Sequence, residues 1–112
     1  MGTPEGEGLG PEWVKVAHLE EVAPGTIKSV QTEHERIVLA NVEGDVYALK
    51  DQCTHADFPL SAGELDGTSL ECSLHGATFD VCTGRATQLP AVRPVKTFDV
   101  TVDGGDIYLR LG

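Results

Sequence analysis

Cys53-Thr54-His55 and Cys72-Ser73-Leu74-His75-Gly76 are separated by sixteen residues in a chain that holds three cysteines and four histidines in all. Each half puts one thiol and one imidazole on a short stretch. Together they offer two sulfur and two nitrogen donors, a set that binds metal. Zinc accepts such a set in a tetrahedron, but zinc modules usually pair like with like, cysteines in one loop and histidines in another. Here each loop is mixed. A mixed loop suits two metal ions lying side by side, because ligands one or two residues apart can then reach both. A binuclear iron-sulfur centre is therefore expected, with zinc as the alternative.

The segments around these loops are short, rich in β-branched residues and punctuated by Gly, Asp or Pro, which is an all-β pattern. Residues 13–17 read as a first strand and 18–21 as a single helical turn ahead of Pro24-Gly25. Residues 26–32 and 35–41 read as paired, alternating strands, and Glu43-Gly44-Asp45 turns the second of them into a further strand at 46–50. Near the other end, 95–102 and 106–111 flank Asp103-Gly104-Gly105, a second hairpin signal. From 51 to 94 the periodicity weakens, and every candidate ligand falls there. This stretch reads as an insert with a small sheet of its own, its strands at 69–71, 77–80 and 85–87 and the ligand loops at one end.

Cys-x-His followed by Cys-x-x-His-Gly resembles the Rieske family, and the resemblance runs from about Asn41 to Arg110. It implies an antiparallel β-sandwich with an inserted cluster-binding subdomain, here about 51–94 of a single domain spanning 13–112. It also implies one [2Fe-2S] cluster, with Cys53 and Cys72 on one iron and His55 and His75 on the other. High-potential members join their ligand loops by a disulfide, where this chain has Phe58 and Leu74. They place serine and tyrosine hydroxyls against the sulfurs, where this chain has Ala77 and Phe79. Each lost donor disfavours reduction, so the potential is expected at the low end of the Rieske range, near about −150 mV. Gln88-Leu89-Pro90-Ala91 matches the family's proline-containing loop over the cluster. Phe58, Pro59 and Leu74 would add an apolar rim, leaving the outer edges of His55 and His75 as the exit for electrons.

Among such proteins the chain is most similar to the soluble ferredoxins of aromatic-ring dioxygenase systems. That likeness implies a one-electron carrier, not catalytic alone, that passes electrons from a flavoprotein reductase to a terminal oxygenase or related acceptor. The alternative is a regulatory or small subunit of a larger redox enzyme such as nitrite reductase, although many of those lack the ligands kept here. An oxygenase subunit needs a further iron site with two histidines and a carboxylate, and no histidine follows His75.

A length of 112 residues with 40% apolar content fits one small domain with its own core. Two cysteines on metal leave Cys82 alone, which excludes a disulfide framework within a monomer and points to a reducing compartment, the cytoplasm. The net charge of −10, from 18 acidic and 8 basic residues, argues against nucleic acid and anionic membrane as partners. A basic protein surface fits better, although the acidity also serves solubility. No stretch approaches the ~20 apolar residues of a membrane span. Residues 1–12 lack the features of a signal peptide and read as a disordered tail. His18 and His34, outside the insert, are expected to be ordinary surface or turn histidines, and Cys82 to pack as a small apolar side chain. Gly76 is expected to let the backbone approach the cluster closely, with a plain turn as the alternative.

Overall fold

Ten strands occur among the residues described by the computed structural model, which are 12–33, 35–54, 59–72, 76–89 and 93–110. They are β1 (Trp13–His18), β2 (Ile27–Gln31), β3 (Arg36–Val42), β4 (Asp45–Lys50), β5 (Glu64–Asp66), β6 (Ser69–Glu71), β7 (Thr78–Asp80), β8 (Ala86–Gln88), β9 (Thr97–Asp103) and β10 (Asp106–Arg110). All pairings are antiparallel. One sheet has six strands in the order β1-β10-β9-β4-β3-β2, and the other has four in the order β5-β6-β7-β8. The all-β class and antiparallel architecture expected above are what the chain adopts.

A short pairing of β9 with β4, Ala48 opposite Phe98 and Leu49 opposite Thr97, joins the two halves of the larger sheet. The halves share a core in which Ala17, Ile107 and Leu109 of one meet Val30, Ile37, Leu39 and Ala48 of the other. A second core lies between the β3–β4 hairpin and the smaller sheet, where Val38, Ala40 and Leu49 pack with Leu60, Leu70, Phe79, Val81 and Val95. Successive strand residues point to opposite faces, so β3 sends Ile37 and Leu39 into the first core and Val38 and Ala40 into the second. All four are 0% exposed. The alternation expected over 35–41 is corrected here: a strand buried on both faces is a continuous apolar run, Ile37-Val38-Leu39-Ala40.

The β3–β4 connection is a two-residue hairpin turn, with Glu43 at φ 54° and Gly44 at φ 103°, the doubly left-handed geometry that matches strand twist. Asn41, 2% exposed, secures it from inside. Its Oδ1 accepts from the Gly44 N–H at 2.8 Å, and its Nδ2 donates to the Val22 carbonyl at 2.7 Å. The helical turn expected at 18–21 is a 3₁₀ turn, Leu19–Glu21.

In the smaller sheet, β6, β7 and β8 fall where strands were expected, and β5 is an addition. Glu64-Leu65-Asp66 offers one apolar residue between two acids, so periodicity gives it no weight. The Asp66-Gly67 pair that turns it back onto β6, with Gly67 at φ 62°, is the signal that marks it. Among the described residues no helix is long and apolar enough to cross a membrane.

Candidate metal centre

Asp51 leaves the end of β4 and is 6% exposed, an uncommon place for a carboxylate. Its Oδ2 accepts from the Ser29 hydroxyl at 3.0 Å and the Ser61 hydroxyl at 2.6 Å, and its Oδ1 from the Ser61 N–H at 2.7 Å. Its own N–H donates to the Arg36 carbonyl at 2.9 Å. These bonds fasten the chain entering Cys53 to β2, to β3 and to the 3₁₀ turn Leu60–Ala62. One residue past Cys53, the Thr54 hydroxyl donates to the Arg93 carbonyl at 2.8 Å, tying this loop to the segment that leads into β9. The role of Asp51 was missed in the sequence because Ser29 lies 22 residues away and Ser61 ten.

The second loop leaves β6 at Cys72, whose N–H donates to the Ala77 carbonyl at 2.7 Å, and rejoins the sheet in β7. The loop is thus a hairpin connection pinned at both ends. From β8, the Gln88 amide donates to the Gly76 carbonyl at 3.1 Å. Gly76 has φ 75°, which a side chain rarely tolerates, and an added Cβ would meet only ordinary contact with the Glu71 carboxylate at 3.4 Å. The turn by itself therefore favours glycine at this position.

Cys53 is 2% exposed and Cys72 0%, and both belong to the apolar cluster that contains Leu60, Leu70, Ala77 and Phe79. The fold therefore brings together the two sulfur donors singled out in the sequence. His55 and His75 lie outside the described residues, as do Phe58, Leu74, Pro90, Ala91, His34 and most of the 1–12 segment. Metal coordination deprotonates a thiol outright, and two cysteine sulfurs enclosed by apolar side chains fit the sulfur half of such a site. Ala77 and Phe79 are each 0% exposed beside them.

One expectation for residues away from the centre needs correction. Cys82 does not pack inside: it is exposed on the turn after β7, where Val81 takes the buried position, and its N–H donates to Asp80 Oδ1 at 2.9 Å. Its side chain is close enough to Tyr47 to raise the phenol above its usual 10.0, by hydrogen bonding first and by charge repulsion second. His18 agrees with its expected place at a turn, where it caps the 3₁₀ turn. Its Nδ1 accepts from the Glu20 N–H at 3.3 Å, while Glu21 Oε2 accepts from the His18 N–H at 3.1 Å, a reciprocal capping box.

The Rieske [2Fe-2S] domain matches residues 12–99 of the chain. The ferredoxin component of a naphthalene 1,2-dioxygenase system from Pseudomonas aeruginosa is 37% identical over 100 residues, which is 89% of this chain and 96% of that protein. The structure of the ferredoxin of carbazole 1,9a-dioxygenase from Nocardioides aromaticivorans superposes with a TM-score of 0.86 at 34% identity, covering 89% of this chain and 98% of that one. A chain in a complex of reduced oxygenase and oxidised ferredoxin in carbazole 1,9a-dioxygenase superposes with a TM-score of 0.85 at 36% identity, over 90% of this chain and 94% of that one.

Proposed function

Since the chain belongs to the Rieske [2Fe-2S] domain family, we propose that Cys53 and Cys72 hold one iron of its cluster as thiolates and that His55 and His75 hold the other through their imidazoles. The observation that supports this most is the burial of Cys53 and Cys72 in one apolar cluster. The cofactor is one [2Fe-2S] cluster, which supplies a one-electron couple. The protein is a Rieske electron carrier, a ferredoxin component that is not catalytic by itself.

Two thiolates and two neutral imidazoles leave the oxidised site formally uncharged and the reduced site singly negative. Four thiolates would add two further negative charges to each state and oppose reduction, which is why Rieske centres lie at about −150 to +300 mV and plant-type clusters near about −400 mV. Within that range the protein sits at the low end, because Ala77 and Phe79 offer no hydroxyl to the sulfurs. The chain leading to Cys53 is held by Asp51 and the loop after Cys72 by its own hairpin, so both thiolates are pre-positioned.

The acceptor is a terminal oxygenase of an aromatic-ring dioxygenase system, a role supported by the named relatives and by the solved oxygenase–ferredoxin complex. The donor is a flavoprotein reductase, and the carrier works as a monomer in the cytoplasm. Residues 13–112 act as one domain, with about 51–94 forming the cluster-binding part. Metal and sulfide analysis tests the reading. Two irons and two acid-labile sulfides per chain are expected from a [2Fe-2S] centre, whereas a single zinc without labile sulfide would overturn it.

A further inference from the structure

A groove of about 260 Å³ runs beside the first ligand loop, lined by Lys50, Gln52, Cys53, Thr54, Pro94 and Val95 together with Arg93 and Lys96. Its charge is out of character for the molecule. The chain has 18 acidic and 8 basic residues, yet among the described residues this lining holds three cations and no carboxylate. Three of the cations elsewhere on the larger sheet are paired: Lys15 with Asp106, Lys28 with Glu21 and Arg110 with Asp99. In the groove Lys96 reaches Glu35 at 3.5 Å, while Lys50 and Arg93 have no carboxylate partner among the described residues.

The groove is also built firmly. The Lys50 N–H donates to the Lys96 carbonyl at 2.8 Å and the Thr54 hydroxyl to the Arg93 carbonyl at 2.8 Å, so all three cations are carried on backbone fastened to the ligand loop. Cys53 and Val95, 2% and 4% exposed, are its most buried lining residues.

We infer that this basic groove is a docking site for an acidic segment of the redox partner protein, seated against the Cys53 loop. The inference rests on the electron-carrier reading. The net charge of −10 favours a partner surface that is basic overall and repels its acidic segments at long range. A cationic notch at the ligand loop then selects the single orientation in which such a segment can seat against the centre, which is a device for specificity more than for affinity.

The experiment uses gold electrodes carrying carboxylate-terminated layers as the acidic probe, with the holoprotein in low-salt buffer. The wild type is expected to give a direct, reversible wave that salt abolishes. Lys50→Glu/Arg93→Glu should lose the wave, and the milder Lys50→Gln/Arg93→Gln should weaken it. Lys15→Glu/Lys28→Glu, with the same change in net charge but away from the groove, should keep it. A hexaglutamate peptide should suppress the wild-type wave. The inference fails if the wild type gives no wave on carboxylate, or if the control loses it as completely as the groove variant. A mediated optical titration of each protein separates the two readings, since a wild type with no mediated couple would overturn the carrier assignment itself.

Discussion

Asp51 illustrates how a residue remote from metal chemistry in type can govern it by position. A carboxylate that accepts from Ser29 and twice from Ser61 while 6% exposed is a structural anchor. Asp51→Ala strands the Ser61 donors and should cost about 2–3 kcal/mol. Urea unfolding should show this as a lower midpoint, and the visible cluster band should bleach sooner on warming. The histidines divide differently. His75→Ala removes one of the two protein ligands proposed for its iron and should abolish the cluster spectrum. His18→Ala removes only a cap, so it should leave the spectrum intact and cost about 1 kcal/mol. A spectrum that survived loss of His75 would refute the ligand assignment. The exposed Cys82 carries a smaller test: Cys82→Ala removes the main cause of the raised Tyr47 pKa, so the phenol should titrate at lower pH, toward its usual 10.0. Ultraviolet absorbance against pH, in a Tyr108→Phe background, reads this directly.

Strand β5 and the glycines around it show how closely the elements of the smaller sheet are set. Gly63, just before β5, leaves no room for a side chain, since a Cβ there would lie 1.7 Å from the Glu71 carbonyl oxygen of β6. Gly84, between β7 and β8, has φ 80°, and a Cβ would meet the Val95 carbonyl oxygen at 2.3 Å. In both cases the obstacle is backbone, which cannot rotate away. Gly63→Ala should therefore destabilise the protein by about 3 kcal/mol or more. Because Glu71 adjoins Cys72, loss of cluster should accompany unfolding, and denaturation followed by visible absorbance and by far-ultraviolet dichroism should give coincident curves. Two well-separated transitions, with the visible band retained past the first, would show that the small sheet is not coupled to the ligand loop in this way. The position of each glycine was plain in the sequence, and only the cross-strand approach explains why nothing larger fits.

For the whole molecule, the testable property is the coupling of electron to proton. An iron-bound imidazole keeps an ionisable N–H, and reduction adds negative charge beside it, so its pKa is higher in the reduced protein. Below both pKa values the potential is flat. Between the oxidised-state and reduced-state values, electron uptake brings a proton, and the potential should fall by ~59 mV per pH unit. Voltammetry from neutral to strongly alkaline pH measures the slope, and a flat response with the cluster intact would count against ligation by His55 and His75. The family and the all-β class were legible from the sequence alone, because the Cys-x-His and Cys-x-x-His-Gly signature belongs to residue type and short spacing, and hairpins such as Glu43-Gly44 are made by adjacent residues. The tertiary structure decided the rest: that β3 is buried on both faces, that Cys82 is outside, that Asp51 braces the Cys53 loop, and that Lys50, Arg93 and Lys96 share one groove. Those outcomes depend on partners far apart in the chain, which meet only when the hairpins pack, and no local pattern records where a distant carbonyl, serine or cation will come to rest.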